Sequence, residues 1–213
     1  GKEDHILAVD LEGKVRDLTP GPHESPVFSL GGDRNYDLSP DGKWLVFASK
    51  RVSNPAESTN ADLFLQNLED TITPDSARNL TKANEAWDGA PRFSPDGKTI
   101  GYLSQRVPGF ESDLFRIAVV DPATGAARLL TDRNTFDNWA NEVRWAADGN
   151  AVISPLRKEA KLRCIGLCPL PANLNGWRLM QLLMRTLWIL RESFFWPSAA
   201  RLVSRLKSGA TIS

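Results

Sequence analysis

Short apolar runs separated by turn residues dominate the first 154 positions of the chain. Residues 44–48 and 99–103 carry apolar side chains on both alternating faces, which is typical of strands that are covered on both sides. Residues 113–120 predict a further strand, and the turn sequence Asp121-Pro122-Ala123-Thr124-Gly125 precedes a returning strand at 127–130. The pattern therefore predicts an all-β structure.

A turn motif recurs between these runs. Ser39-Pro40-Asp41-Gly42-Lys43 returns as Ser94-Pro95-Asp96-Gly97-Lys98 and, in degenerate form, as Ala146-Ala147-Asp148-Gly149-Asn150, so the aspartates are 55 and 52 residues apart. Pro fixes φ at the second position of such a turn, and Gly supplies the left-handed conformation that closes it. Each copy therefore predicts a strand, a tight turn and a second strand.

Two further markers keep nearly the same period. Asp62-Leu63-Phe64 returns as Asp113-Leu114-Phe115, and a Leu-Thr pair stands at Leu18-Thr19, Leu80-Thr81 and Leu130-Thr131. Three markers in one order at one period predict a structural repeat of about four short strands per roughly 50 residues, the pattern of β-propeller blades.

The repeat predicts a partial β-propeller of about three four-stranded blades over residues 1–154. Residues 1–18 supply closing strands, 33–81 and 88–131 supply two fuller blades, and 141–154 open another. A propeller closes with four to eight blades, so this arc leaves apolar blade faces uncovered and is expected to aggregate on its own. The long loops at one rim are where a propeller usually makes its contacts.

Charge divides the chain into two parts although its net charge is zero. Residues 155–213 hold ten basic and two acidic residues, which leaves 16 basic and 24 acidic residues in 1–154. The acidic first part has no interleaved basic and aromatic residues, which argues against a nucleic-acid partner. No signal peptide is visible after Gly1, and the start is interpreted as internal to a longer protein. The localisation is left open, and a periplasmic or secreted parent is compatible with the sequence.

Residues 155–213 form a second predicted region, a basic tail rich in Leu and Trp that is helical or disordered. It has no turn motif of the earlier kind, and the favoured interpretation is a frame disruption near residues 155–165 that leaves the tail unfolded. The alternative is an amphipathic helix over 176–196, ended by Pro197, that lies on a membrane surface or on an uncovered blade. Arg185 in the middle of the apolar stretch argues against a membrane span, and a membrane partner is disfavoured.

The histidines and cysteines give no candidate for a catalytic or metal site. His5 and His23 are isolated and are interpreted as ordinary loop or surface residues. Cys164 and Cys168 supply half of a zinc site at most, because zinc takes four ligands and the sequence has no second pair. No cofactor is expected.

Two groups of charged residues in loops are candidate binding sites. Asp33, Asp37 and Asp41 are spaced by four, which makes calcium conceivable, but the spacing lacks an EF-hand pattern and favours turn and strand-end roles. Arg106 and Glu111 flank a predicted rim loop and are interpreted as solvated residues or an ion pair rather than as ligands of peptide termini. The prediction for catalytic, cofactor and metal residues is therefore none.

Longer strings within the repeat resemble one family. The sequence is similar to the propeller domain of prolyl-oligopeptidase-family serine peptidases, in the branch of dipeptidyl and acylaminoacyl peptidases. The strings that carry this likeness are Asn35-Tyr36-Asp37-Leu38-Ser39-Pro40-Asp41-Gly42-Lys43, Trp87-Asp88-Gly89-Ala90-Pro91-Arg92-Phe93 and Gly109-Phe110-Glu111-Ser112-Asp113.

The resemblance implies a non-catalytic role. In this family the propeller covers an α/β-hydrolase domain and gates the access of short peptides, so its implied partners are that domain and those peptides. The family's nucleophile elbow, Gly-x-Ser-x-Gly, is absent from this sequence, and the chain is not expected to be an enzyme by itself. The alternative is a propeller similar to the Tol-system type that binds other proteins.

Overall fold

The computed structural model describes residues 3–27 and 35–155, together with the backbone of residues 163–166. These residues form strands and turns, and they include no helix. The strands are β1 (Leu7–Val9), β2 (Val15–Asp17), β3 (Tyr36–Leu38), β4 (Trp44–Ser49), β5 (Asp62–Asn67), β6 (Arg78–Asn79), β7 (Asp88–Phe93), β8 (Ile100–Ser104), β9 (Arg116–Val120), β10 (Ala127–Leu129), β11 (Arg144–Trp145), β12 (Ala151–Ser154) and β13 (Arg163–Gly166).

The strands form four antiparallel sheets in chain order. The first sheet is β1–β2, the second is β3–β4–β5–β6, the third is β7–β8–β9–β10 and the fourth is β11–β12–β13. Each strand pairs with its neighbour in sequence, so each sheet is a simple meander. The predicted all-β fold with two complete four-stranded units is confirmed.

Both faces of the second sheet are buried, because the first sheet's segment packs on one face and the third sheet packs on the other. Neighbouring side chains on β4 point to opposite faces. Leu45 and Phe47 pack with Ile6 and Leu18 of the first sheet's segment. Val46 and the other inward side chains of the opposite face pack against the third sheet, and burying each large side chain contributes roughly 1.5–3 kcal/mol. The core between the second and third sheets contains Val46, Ala48, Leu63, Leu65, Ile100, Tyr102, Ala118 and Val120.

The third sheet is covered in the same way on its second face. Leu103 and Ile117 pack with Val143 and Val152 of the fourth sheet's segment. A Cβ placed on Gly101 would lie 2.8 Å from the Val143 side chain, so the absence of a side chain there lets the two sheets approach closely. Successive sheets therefore stack face to face, which is how the blades of a propeller pack.

Polar groups also tie each sheet to the next one. The Asp37 carboxylate accepts a hydrogen bond from the Phe93 N–H at 2.8 Å, and the Trp145 indole donates to the Arg92 carbonyl at 2.9 Å. Both bonds join the first strand of one sheet to the first strand of the next. They fix the register between blades, which apolar packing alone does not specify.

The recurring turn motif forms the first hairpin of the second, third and fourth sheets. In the first copy, the Gly42 N–H donates to the Ser39 carbonyl at 2.8 Å, and the Ser39 hydroxyl lies 2.5 Å from the Asp41 carboxylate. Gly42 has a φ of 72°, in the left-handed region that favours glycine. The second copy reproduces these contacts, with 2.9 Å from Gly97 N to Ser94 O and 2.6 Å between the Ser94 hydroxyl and Asp96.

The degenerate third copy keeps the turn without Ser or Pro. The Gly149 N–H donates to the Ala146 carbonyl at 2.9 Å, and Asp148 accepts from the Asn150 N–H at 3.0 Å. The Asp-Gly pair therefore suffices for this hairpin.

The recurring Leu-Thr pair also has one structural role. The hydroxyl of Thr19 accepts a hydrogen bond from the Ile6 N–H at 2.9 Å, Thr81 accepts from Leu63 at 3.0 Å, and Thr131 accepts from Ile117 at 2.9 Å. All three threonines are buried. Each hydroxyl accepts a hydrogen bond from a backbone N–H at the point where the pairing of the third and fourth strands of a blade ends. Ile6, Leu63 and Ile117 therefore occupy equivalent positions in their sheets.

This equivalence corrects one predicted marker. Since Leu63 corresponds to Ile117, Asp62 corresponds to Arg116 and not to Asp113. The strand predicted from residue 113 begins at Arg116, where β9 starts. The prediction was wrong there because the Asp113 carboxylate bonds backbone N–H groups of the preceding loop instead of starting the strand.

The fourth sheet extends past the predicted end of the propeller. β13 pairs antiparallel with β12 and lies beyond residue 154. The described residues belong to one compact unit, Gly1–Cys168, and the second unit, Pro169–Ser213, falls outside them. The domain boundary at 154 stays a prediction, and the predicted helix at 176–196 lies outside the described residues.

Candidate functional site

The meander places two kinds of connection at opposite ends of the strands. The tight turns after β3, β7 and β11 lie at one end, and the connections after β2, β4, β6, β8 and β10 lie at the other. We call the second end the loop face. Its segments are residues 19–27, 50–61, 80–87, 105–115 and 130–143.

The β8–β9 loop on this face is anchored by Asp113, whose side chain is 2% exposed. Its carboxylate accepts hydrogen bonds from the N–H groups of Arg106 at 2.7 Å and Val107 at 3.1 Å, and it pairs with the Arg116 guanidinium at 2.9 Å. Burial alone would raise the pKa of Asp113, but the hydrogen bonds from Arg116 and the backbone outweigh it and lower the pKa to about 2. The carboxylate is therefore ionised at neutral pH and fixes the base of the loop.

Two further contacts hold this loop. The Gln105 amide donates to the carbonyls of Glu111 at 3.0 Å and Asp113 at 2.9 Å. The Gly109 N–H donates to the Thr59 hydroxyl at 2.9 Å, which joins the loop to the second sheet. A loop tied at its base and at its tip is preorganised for contact.

The tip of the anchored loop displays apolar side chains to solvent. Val107 is 47% exposed and Phe110 is 51% exposed. Arg106 and Glu111, which the sequence analysis interprets as solvated residues or an ion pair, are also exposed. The structure thus places them beside an apolar tip on the loop face.

An aromatic row runs along the same face. The rings of Trp87 and Phe115 lie 5.1 Å apart, and those of Phe115 and Trp139 lie 5.2 Å apart, both edge to face. The three rings come from three consecutive connections. Trp139 is exposed and ends the row.

Two buried carboxyl groups lie where the second and third sheets meet. Asp88 is 0% exposed and accepts a hydrogen bond from the Asn84 amide at 2.9 Å. Burial raises its pKa to about 7, and the hydrogen bonds of Ser104, Asn84 and Thr81 oppose that rise. Burial also raises the pKa of Asp62, against hydrogen bonds from Asn79 and Thr81.

The remaining sequence candidates are dispersed. His5 Nδ1 lies 2.7 Å from the Asp17 carboxylate, its one hydrogen-bond partner in the described part of the chain. Asp37 accepts from the Phe93 N–H, Asp41 belongs to a hairpin turn, and Asp33 lies outside the described residues. Among the residues that the structure describes, no three His, Cys, Asp or Glu side chains form a metal-binding group.

One histidine and one cysteine of the sequence analysis lie in the described residues outside the loop face contacts given above. His23 lies in the connection between the first and second sheets. Cys164 lies in β13, and Cys168 is outside the described residues. Across the part of the chain with a described structure, no helical segment has the length and hydropathy needed to cross a bilayer.

Sequence reasoning missed the anchoring role of Asp113, the aromatic row and the buried Asp88. The available signal for Asp88 was an acidic residue between Trp87 and the uncharged stretch Gly89-Ala90-Pro91. Asp88 is buried at the start of β7, and a buried carboxyl group needs hydrogen-bond partners from other segments.

The comparisons with known proteins agree with this architecture. The dipeptidyl-peptidase 5 of Porphyromonas gingivalis is 34% identical over 149 residues, which are 68% of this chain and 21% of that protein. The dipeptidyl-peptidase 5 of Aspergillus fumigatus is 31% identical over 180 residues, which are 81% of this chain and 24% of that protein. This chain is a homologue of part of dipeptidyl-peptidase 5. It spans between a fifth and a quarter of the length of these relatives, and the predicted resemblance to the peptidase branch is confirmed.

Solved structures support the propeller fold. TolB from Acinetobacter baumannii matches with a TM-score of 0.50 and 20% identity over 72% of this chain and 32% of that one. A TolB-type protein from Agrobacterium tumefaciens matches with a TM-score of 0.54 and 17% identity over 77% of this chain and 51% of that one. At these identities the likeness concerns the fold alone. No family model matches the chain.

Proposed function

We propose that this homologue of dipeptidyl-peptidase 5 is a non-catalytic propeller segment that limits the access of peptides to an α/β-hydrolase domain in a longer protein. The observation that carries this proposal is its homology to a fifth to a quarter of dipeptidyl-peptidase 5, over a stretch that consists of stacked blades in the described residues. The partners are that hydrolase domain and short peptides.

Stacked blades are suited to restricting access because both faces of the inner sheets are filled by side chains. The cores on either side of the second sheet leave Leu45, Val46, Phe47 and Leu63 with no exposed surface. A substrate therefore passes beside or along the blades and not between them. The anchored loop, with Val107 and Phe110 at its tip, is a rigid contact on the loop face for the neighbouring domain or a peptide.

The chain itself has no hydrolytic role in this proposal. A serine peptidase of this family needs a nucleophile elbow and a histidine that contacts the nucleophile, and Gly-x-Ser-x-Gly is absent from the sequence. The purified chain is expected to release no product from chromogenic dipeptidyl substrates, with the Porphyromonas gingivalis relative as positive control. Turnover that is blocked by a serine-directed inhibitor would contradict the proposal.

Access is tested in a chimera that carries this chain's blades in place of the homologous stretch of the relative. Asp113→Asn weakens the anchor of the β8–β9 loop, and we expect cleavage of long peptides to rise relative to that of a short dipeptidyl substrate. Asp121→Asn is the matched control, because Asp121 accepts hydrogen bonds from backbone N–H groups in a turn at the end of the strands opposite to the loop face. An unchanged ratio of long to short peptides in both variants would refute a gating role for the loop face.

A further inference from the structure

Asp88 lies at the junction of the second and third sheets, where the connection from β6 enters β7. Its N–H donates to the Ala61 carbonyl at 2.8 Å, which joins the two sheets. Its carboxyl group accepts a hydrogen bond from the Asn84 amide at 2.9 Å, and the same amide donates to the Gln105 carbonyl at 3.0 Å. The Asp88 side chain therefore holds the 80–87 connection against the end of β8.

The repeat shows that this junction does not need a carboxyl group. The threonine contacts make Ala61 and Phe115 equivalent positions. The Phe115 carbonyl accepts a hydrogen bond from the Ala140 N–H at 3.1 Å, as the Ala61 carbonyl does from Asp88. Ala140 thus occupies the position of Asp88 between the third and fourth sheets, and it too is 0% exposed. A small apolar side chain suffices there, so the carboxyl group of Asp88 goes beyond what blade packing requires.

No cation compensates this carboxyl group within the described part of the chain. No basic side chain there forms an ion pair with it, and its Oδ2 has no hydrogen bond of good geometry. The titratable groups that face it are Asp62 on β5 and Tyr102 on β8. Lys82 and Glu85, in its own connection, are exposed. A buried carboxylate beside a second carboxyl group is unfavourable, so the closed junction favours the protonated form of Asp88.

We propose that Asp88 is a proton-controlled latch, which keeps the 80–87 connection closed against β8 while it is protonated and releases the connection when it loses the proton. Trp87 is held by the same closure, because its carbonyl accepts a hydrogen bond from the Gln105 N–H at 2.8 Å. Its ring packs on Phe115 in the aromatic row, so release loosens the row on the loop face.

The pH range of the latch follows from the burial of Asp88. The closed junction raises the pKa of Asp88 to about 7, whereas an open connection exposes the carboxyl group to water and returns its pKa toward the ordinary value. Opening therefore becomes easier as the pH rises from about 4 to 7. The carboxyl group is 0% exposed between two fully described sheets, so the latch does not depend on what covers either end of the blade stack.

Hydrogen exchange of the full chain measures the latch directly. The amides of Asp88 and Gln105 are compared with those of β4 and β5 from pH 5 to 7 in low urea. After correction for the intrinsic rate, exchange at Asp88 and Gln105 is expected to rise by up to about tenfold per pH unit, because the open state releases the proton that the closed state holds. It should depend little on urea, since a local opening exposes little surface, whereas β4 and β5 are expected to exchange through global unfolding and to depend on urea strongly.

Two substitutions assign the effect to this carboxyl group. Asp88→Asn cannot ionise, so exchange at Gln105 is expected to lose its pH dependence. Asp37→Asn is the matched control, because Asp37 accepts the Phe93 N–H between the same two sheets, and the pH dependence is expected to persist in it. Exchange at Asp88 and Gln105 that is independent of pH in the wild type, or that matches β4 and β5 in rate and urea dependence, would overturn the proposal. These wild-type measurements decide the matter even where Asp88→Asn does not fold.

Discussion

Asp88 combines complete burial with a carboxyl group that titrates near neutral pH. Its pKa is raised to about 7, mainly by burial, and its neighbours Ser104, Asn84 and Thr81 oppose that rise. The folded chain therefore holds the Asp88 proton at pH values where the unfolded chain has released it. Stability from this group is complete below about pH 4 and is lost as the pH rises toward 7.

Asp88→Asn is expected to remove this part of the pH dependence. Between about pH 4 and 7 the wild type should lose up to about 4 kcal/mol that the variant does not lose, since one pKa unit corresponds to about 1.4 kcal/mol. Asp113 does not interfere, because its lowered pKa confines its effect to pH below about 4. Urea unfolding at several pH values measures the difference, and identical slopes for the two proteins would refute it.

The buried threonines offer a second test at the residue scale. Thr81→Val keeps the shape of the side chain but leaves the buried Leu63 N–H without its acceptor. The expected loss is about 1–3 kcal/mol in the free energy of unfolding. Thr124→Val, at an exposed turn, is the control and should change it by about 0.5 kcal/mol or less. Equal effects of the two substitutions would argue against the repeated contact.

At the scale of elements, the hairpin turns were the most predictable feature. Asp-Gly fixes a left-handed residue and an acceptor for a backbone N–H, and both interactions are local. The sequence could therefore predict all three copies, including the degenerate one at Asp148-Gly149. The start of β9 could not be predicted in this way, since the bonds of Asp113 to Arg106 and Val107 depend on how the loop closes.

Substitutions of Gly42 measure the free-energy cost of the left-handed conformation in the hairpin turn, without steric clashes. A Cβ at this position would meet no atom within 4 Å, so the cost of Gly42→Ala is the left-handed conformation alone. We expect a loss of about 1–2 kcal/mol for Gly42→Ala. Gly42→Asn should lose less, because Asn tolerates this conformation. Thermal unfolding compares the two, and a more stable Ala variant would contradict the assignment of the turn.

At the scale of the whole molecule, the order of the sheets followed from the repeat, whereas their contacts did not. The continuous apolar run of residues 44–48 predicted a strand covered on both sides. They did not specify that Asp37 would bond Phe93 or that Trp145 would reach Arg92, because those contacts join residues more than 50 positions apart. For the same reason the aromatic row, which joins three connections of the loop face, could not be predicted from the sequence.

The central claim is that successive sheets pack face to face as blades. Methyl–methyl nuclear Overhauser effects measure this packing directly. We predict contacts between the methyl groups of Leu63 or Leu65 and those of Ile100 or Val120, and separately between Ile117 and Val152. Their absence, together with hydrogen bonds that join β6 or β10 edge to edge with the next sheet, would contradict the account.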